Sequence, residues 1–203
     1  MKVLANVSLL IAALVAIAGA EWTHIPLGGL VHVSANINYI WGVNAANQIF
    51  MCPRPCTPTK WKQIDGALKR LDVDDQEVWG VNKADQIYKR PVDGSGKWQL
   101  IGGKLKHVSA SGHGYMWGVN RQTFVYICKK PCSGKWVRVN GFLKQVDAGQ
   151  EEVYAVGLHS EVFARPVDGS ENWRRILGME AQLLLQETLC WKFRANEWSA
   201  PSV

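Results

Sequence analysis

The chain has 203 residues, a formal net charge of +6 at pH 7, a hydrophobic fraction of 47% and five cysteines. Its basic residues are scattered among acidic ones and form no runs, which argues against a nucleic-acid-binding protein and leaves only a weak preference for anionic partners. The length suits one domain with a sizeable core.

Residues 1–20 are predicted to be a secretory signal peptide. Lys2 forms a short basic head, the run from Val3 to Ile17 is almost wholly apolar, and small residues occupy 18–20. The apolar run is too short to span a bilayer comfortably, so a membrane anchor is the less favoured alternative. We therefore expect a secreted, extracellular protein.

Tryptophans recur along the mature chain at a nearly constant spacing of 37 to 39 residues, and the segments between them align. The positions are 22, 61, 98, 136 and 173. This period is the length of a small antiparallel sheet with its turns, and such internal repeats are typical of radial or stacked architectures. The repeat units lie near 22–60, 61–97, 98–135 and 136–172, and a fifth begins at 173.

Each unit is predicted to contain four short strands; in the second they fall at 61–64, 71–73, 78–81 and 86–89. The segment Val78-Trp79-Gly80-Val81 is apolar on both faces, as expected for a sheet buried on both sides. The fold class is therefore all-β, a β-propeller of four-stranded antiparallel blades across 21–176. An immunoglobulin-like sandwich would also have many short strands, but it would not repeat at this period.

Two kinds of connector alternate between the units. Cys52 and Cys56, and likewise Cys128 and Cys132, lie four positions apart, while the sequence RPVDGS occupies 90–95 and 165–170. In a secreted protein each cysteine pair is expected to form a local disulfide; a four-cysteine zinc site is the alternative. We expect each connector to cross from the outer strand of one blade to the inner strand of the next. Because the connectors alternate, the full ring should have an even number of blades, four or six.

The repeat pattern ends after Ile176. The divergent tail, 177–203, has no strand-turn rhythm, and 180–193 would suit an amphipathic helix. The tail is interpreted either as a truncated or alternative C-terminus or as a helical cap, and Cys190 has no evident partner. If blades are missing, the ring is incomplete and its open strand edges favour oligomerisation.

The repeated segments WGVNAANQIF (41–50), VWGVNKADQIY (78–88) and MWGVN (116–120) resemble tectonin repeats. Together with the signal peptide, the mature start EWTHIPLG and the paired cysteines, they are similar to the fish-egg lectins, a tectonin-repeat β-propeller family. The resemblance covers about residues 1–176. It implies a secreted lectin of innate immunity that binds N-acetylglucosamine, galactose-type sugars or lipopolysaccharide on microbial or egg-coat surfaces. It also implies a six-bladed ring and possible calcium binding.

No enzyme motif is found among the five histidines or the acidic residues: there is no HExxH, no GxSxG and no phosphate-binding glycine loop. The protein is therefore predicted to be a non-enzyme with no metal centre. A secreted propeller scaffold that binds partner proteins is the alternative to a lectin.

Sugar binding requires aromatic faces for pyranose rings and planar polar groups for hydroxyls. The repeats offer two sets of candidates, each with a structural alternative: the tryptophans could pack between blades, and the asparagines could make turns. The candidate ligand-binding residues are Trp41, Trp79, Trp117, Asn44, Asn82, Asn120, Arg90, Asp93, Arg165 and Asp168.

Overall fold

The computed structural model describes residues 29–111 and 113–177. Within these ranges the chain forms fifteen β-strands and one short 3-10 turn, Pro58–Lys60, with no α-helix. The signal peptide, Trp22, Cys190 and the predicted tail helix lie outside the described residues. The β-propeller prediction is confirmed, because the strands form successive four-stranded antiparallel sheets.

The first two sheets, here called blades 1 and 2, follow each other without shared strands. Blade 1 consists of β1 (Leu30–Ala35), β2 (Tyr39–Asn44), β3 (Ile49–Pro53) and β4 (Lys62–Ile64). Blade 2 consists of β5 (Arg70–Val73), β6 (Glu77–Val81), β7 (Gln86–Pro91) and β8 (Gln99–Lys104).

Blades 3 and 4 share one long strand, β12 (Val137–Ala148). Its first part pairs with β11 in blade 3 and its second part, from Leu143, pairs with β13 in blade 4. The other strands of blade 3 are β9 (His107–Ala110), β10 (Tyr115–Val119) and β11 (Phe124–Lys129), and those of blade 4 are β13 (Glu152–Gly157), β14 (Val162–Pro166) and β15 (Arg174–Ile176).

The sheets are offset by one strand from the sequence repeats. The strand that follows each described tryptophan of the repeat hydrogen-bonds to the third strand that precedes it in the chain, as β4 does to β3 and β15 to β14. The strand after Trp173 thus completes blade 4. The prediction that the connectors cross between blades was wrong: each joins the third and fourth strands of one sheet, and the crossing follows the fourth strand instead.

The repeated tryptophan fastens this fourth strand to the blade before it. The indole Nε1–H of Trp98 donates to the carbonyl of Asp65 at 2.7 Å, and that of Trp136 donates to Gly102 at 2.9 Å. Gly103, with φ of +102°, lies under the Trp136 ring, where a Cβ would come within 2.8 Å of it. The period of the sequence is therefore the period of an inter-blade contact.

The first strands of the blades lie side by side and are joined by buried polar side chains. The Ser34 hydroxyl donates to Asp72 at 2.6 Å, and Ser109 donates to the other carboxylate oxygen of Asp72 at 2.9 Å. Ser109 also lies 3.2 Å from Asp147. Serine and aspartate thus alternate at one equivalent position of four blades. Because Asp72 and Ser109 are buried, losing a partner here should cost more than at the surface.

A backbone hydrogen bond repeats at the end of the molecule that carries the turns between second and third strands. Leu68, Leu105 and Leu143 donate to the carbonyls of Asn47, Asp85 and Thr123 in the preceding blade at 3.1, 3.0 and 2.9 Å. The three acceptor residues all have positive φ, which turns their carbonyls toward the next blade. Three successive blade pairs are therefore held in the same geometry.

Blade 1 has an apolar face that no other described blade covers. Val33 is 56% exposed, whereas its equivalents Leu71, Val108 and Val146 are at most 1% exposed beneath the preceding blade. Val31, on the same strand, is 63% exposed. Within 29–111 and 113–177 the blade array is therefore open at this end.

Replacing Asp72 by alanine should lower the free energy of unfolding by about 3 kcal/mol, because two buried hydroxyls and the amide of Ala110 lose their acceptor. Ser34→Ala, which removes a single hydroxyl, should cost about 1 kcal/mol. Chemical denaturation measures both. A loss for Asp72→Ala no greater than that for Ser34→Ala would contradict this role for the carboxylate.

His107 should make stability fall at acidic pH. Its Nε2 lies 2.8 Å from the Val146 carbonyl. Burial lowers the pKa of His107 to about 4. The charge of Arg70 lowers this pKa further, while the Val146 carbonyl and the charges of Asp72 and Asp147 raise it. The neutral ring is thus the folded form, so its contribution is complete above the unfolded pKa of about 6.5 and is lost as the pH falls toward 4.

The pH-dependent contribution of His107 to the free energy of unfolding should amount to about 3 kcal/mol. His107→Gln, which places the residue found at the equivalent position in blade 4, Gln145, should remove that contribution. Denaturation at pH 7.5 and pH 4.5 compares the two proteins. An equal acid-induced loss in wild type and His107→Gln would exclude His107 as its source.

Candidate functional site: the groove between blades 3 and 4

Both predicted disulfides are present, and both cysteine loops are compact. Cys52–Cys56 and Cys128–Cys132 each have a Cα–Cα distance of 5.6 Å. Cys128 and Cys132 belong to the buried cluster that contains Trp79. The disulfide loop of blade 3 therefore packs against the preceding blade.

The PVDGS connectors form tight turns that aspartate closes. Asp168 accepts the amide of Ser170 at 2.9 Å, and Asp93 accepts the amide of Ser95 at 2.8 Å. Hydrogen bonds from Ser170 and Ser95 lower the pKa of these two carboxyl groups. Both aspartates are exposed, so each presents an ionised carboxylate at the surface.

A buried arginine holds each connector in place. Arg165 is 4% exposed and donates to the Gly169 carbonyl at 2.6 Å and to Asn140 Oδ1 at 3.1 Å. Its guanidinium lies 5.2 Å from the centre of the Trp173 ring, and burial lowers its pKa. Among the described residues its Nε–H has no hydrogen-bond partner.

The equivalent connector of blade 2 differs in one partner. Arg90 donates to Gly94 and Gly96 carbonyls at 2.7 Å each, but its other contact is an ion pair with Asp65 at 2.7 Å. Where blade 1 supplies a carboxylate, blade 3 supplies the neutral amide of Asn140. The two pseudo-equivalent connectors therefore have different electrostatic surroundings.

The WGVN tryptophans lie in the core. Trp41, Trp79 and Trp117 are all 0% exposed. Trp41 and Trp117 donate to the connector carbonyls of Val92 and Val167 in the next blade at 3.0 and 2.8 Å. Their burial removes these three indoles from the side chains that a ligand could reach; they pack between blades.

The three asparagines of WGVN close the turns after the second strands. Asn44, Asn82 and Asn120 accept the backbone amides of Gln48, Gln86 and Phe124 at 2.9, 3.0 and 2.9 Å. These asparagines close the turns between the second and third strands. The connectors follow the third strands and therefore lie at the opposite end of each sheet. Of the ten candidates, Arg165 and Asp168 line a groove.

The groove lies between blades 3 and 4 and has a volume of about 430 Å³. Its floor is Arg165 with the connector of blade 4, and its walls come from the second to fourth strands of blade 3. The lining residues are Tyr115, Ile127, Lys129, Val137, Arg138, Val139, Asn140, Arg165, Asp168 and Gly169.

This lining combines an aromatic ring, apolar side chains and polar groups of both signs. Tyr115 is half-buried, and Val137 is 63% exposed. Arg138 stacks on the ring of Phe124 at 3.8 Å from its centre, which restrains the guanidinium at the groove's wall. Such a surface can bind a small polyhydroxylated ligand through one apolar face and several hydrogen bonds.

Sequence reasoning missed Tyr115, Lys129, Arg138 and Asn140. They belong to blade 3, whereas the connector belongs to blade 4, so the sequence alone does not bring them together. One signal was available: the position of Arg138 is Gln63 and Leu100 in the two preceding repeats. A residue that varies at a fixed repeat position does not maintain the fold there.

The model of the tectonin domain matches residues 54–186. The chain belongs to the tectonin-domain family. Lectin L6 of Tachypleus tridentatus is 55% identical over 96 residues, which cover 47% of this chain and 43% of the relative. The chain thus matches less than half the length of that curated relative.

Solved β-propellers share the fold. A chain of the nidogen/laminin complex has a TM-score of 0.64 at 13% identity, covering 80% of this tectonin-domain chain and 70% of its own. Human WBSCR16 has a TM-score of 0.59 at 9% identity, covering 75% and 54%. At these identities the likeness concerns architecture alone.

Two further findings concern metal ions and membrane spans. In the parts of the chain that the structure describes, no group of three or more His, Cys, Asp or Glu side chains could hold a metal ion. Among the same residues, no helix has the length and hydropathy of a membrane span.

Arg165→Lys should destabilise blade 4 and alter the groove, because lysine cannot reproduce the two-pronged contact with Gly169 and Asn140. We expect a lower melting temperature, by several degrees for a loss of about 2 kcal/mol. The exposed Arg175→Lys in the same blade is the matched control and should melt like wild type. Equal melting temperatures for all three proteins would show that the arginine does not hold the connector.

Proposed function

We propose that this tectonin-domain protein is a secreted, non-catalytic lectin that binds sugars in the groove between blades 3 and 4. The observation that carries the proposal is the lining of that groove: the half-buried Tyr115 ring beside Arg138, Asn140 and the ionised Asp168. The 55% identity to a protein named Lectin L6 supports the same function.

The chemistry of the groove suits a pyranose. Tyr115 and Val139 offer apolar surface to the C–H face of the sugar ring, while the carboxylate of Asp168 accepts and the guanidinium of Arg138 donates hydrogen bonds to hydroxyl groups. N-acetylglucosamine and galactose-type sugars, and the sugar portion of lipopolysaccharide, are the ligand classes that we propose.

Secretion is supported by the two disulfides, because such cross-links persist in oxidising compartments. A secreted sugar-binding protein would be suited to glycan-coated microbial or egg surfaces, and with them to innate defence. When several copies of the protein associate, their weak sites can bind one glycan-coated surface together, and avidity then strengthens the overall binding.

Asp168→Asn should weaken retention on N-acetylglucosamine or galactose resin about tenfold or more, since it removes one charged hydrogen bond to a sugar hydroxyl. The amide oxygen of asparagine can still close the turn with Ser170, so the fold should be kept. Asp93→Asn makes the same change in the connector of blade 2, where Asp65 already neutralises the arginine, and should bind like wild type.

Frontal affinity chromatography with a series of free sugars measures these differences. An equal loss in both variants would contradict the assignment to this groove. Failure of folded wild-type protein to bind any sugar would contradict the lectin function itself.

A second candidate function rests on the open face of blade 1. Val31 and Val33, two residues apart on β1, are exposed on the same face of that strand, and such apolar surface is typical of protein contacts. A propeller scaffold for partner proteins or for copies of itself would use this face. Free monosaccharide elutes a lectin from a glycoprotein partner but leaves a scaffold complex intact, which distinguishes the two functions.

A further inference from the structure

Positive charge is concentrated at one place on the turn-bearing end of the molecule, between blades 2 and 3. Lys69 directly precedes β5, Arg70 is its first residue, and Lys106 directly precedes β9. The turn between the second and third strands of blade 3 contributes Arg121. Blade 1 has Val31 at the position of Lys69 and Lys106. Blade 4 also carries lysine at this position, Lys144, so the residue particular to this junction is Arg70, whose equivalents in the other blades are His32, His107 and Gln145.

One carboxylate lies inside this group and is shared by two of the cations. Asp85, whose side chain is 8% exposed, forms ion pairs with Lys69 and with Arg121. Its backbone carbonyl also accepts the amide of Leu105 at 3.0 Å, which places the next residue, Lys106, beside the same turn. Each oxygen of the Asp85 carboxylate thus accepts from one of these two cations.

Arg70 and Lys106 form no ion pair or side-chain hydrogen bond with any described residue. Lys106 is only partly exposed, and its pKa is lowered by burial and by the neighbouring charges of Arg70 and Lys69, against the attraction of Asp85. Arg70 begins β5, Lys106 directly precedes β9, and the hydrogen bond from the Leu105 amide to the Asp85 carbonyl joins these two blades beside both residues. The two like charges therefore lie at the same blade junction. An anion placed between them would reduce their repulsion.

We propose that Arg70 and Lys106, with Lys69 at its edge, form a binding site for a tetrahedral oxyanion such as a phosphate group. The planar guanidinium of Arg70 supplies paired donors for two oxygens, and the ammonium of Lys106 supplies a third contact. The site lies at the first strands of blades 2 and 3, whereas the sugar groove is formed by outer strands of blades 3 and 4. It therefore stands independently of the proposed sugar site.

A phosphate at this site could be free in solution or carried by a glycan. Equilibrium dialysis of the full mature protein at constant ionic strength, with inorganic phosphate and with N-acetylglucosamine 6-phosphate, separates the two sources. Binding of both identifies a site for the free anion. Binding of the sugar phosphate alone, tighter than that of neutral N-acetylglucosamine and weakened by Arg70→Gln/Lys106→Gln, identifies a glycan-borne anion. Failure of both to bind wild type would overturn the proposal.

The variant Arg70→Gln/Lys106→Gln removes both charges with little change in side-chain length. It should lose about tenfold or more in phosphate affinity for each charged hydrogen bond lost. Lys97→Gln/Lys135→Gln removes two exposed positive charges outside this group and should bind phosphate like wild type. If both double variants lost the same phosphate affinity, the loss would follow from the change in net charge, and the proposed site at Arg70 and Lys106 would be overturned.

The pH dependence provides a second measurement. Binding needs the ammonium form of Lys106, so phosphate affinity should decline as the pH rises through its lowered pKa, below the ordinary lysine range. A phosphate affinity that does not decline as the pH rises to the ordinary lysine pKa of about 10.4 would exclude Lys106. Binding of neutral N-acetylglucosamine should be the same in Arg70→Gln/Lys106→Gln and wild type, so failure of this site and failure of the sugar groove give different results.

Discussion

The structure depends on the contact between one blade and the next. Each blade alone is a four-stranded sheet that is apolar on both faces, and such a sheet is unstable in water unless both faces are covered. Three elements repeat at every described blade junction: the leucine amide bonded to the positive-φ residue, a buried tryptophan under the next connector, and the tryptophan of the fourth strand on the preceding blade. The exposure of Val33 shows the apolar face that a blade presents where no other described blade packs on it.

The same junctions place the polar groups that we assign to function. Arg165 is buried because it must hold the connector against Trp117 and Trp173, and it thereby brings Asp168 to the wall of a groove whose other side is blade 3. The cation group at Arg70 and Lys106 also spans a junction, between blades 2 and 3. Both sites form where side chains of consecutive repeats meet, so each can differ from its pseudo-equivalent although the frame is constant.

The repeat explains how much of the fold could be predicted. Evenly spaced indoles such as Trp98 and Trp136 predicted small four-stranded sheets that recur at a constant period, and the cysteine spacing predicted both disulfides, because these are local or periodic properties. The strand phase was predicted wrongly, since a repeat has no natural starting point in the sequence. Only hydrogen bonds between β3 and β4 show that the tryptophan opens the last strand of one blade and does not open the next.

For the candidate site, too, local features could be predicted from the sequence and contacts between blades could not. The amino-acid sequence by itself determined the propeller class, the alternating connectors and the residue types available for binding, because hydrophobic period and turn composition act over a few residues. The tertiary structure alone decided that Trp41, Trp79 and Trp117 are buried, that Asn140 faces Arg165, and that Tyr115 and Arg138 share a groove with Asp168. These are relations between different blades, and they depend on how the sheets stack around the axis, which no local pattern encodes.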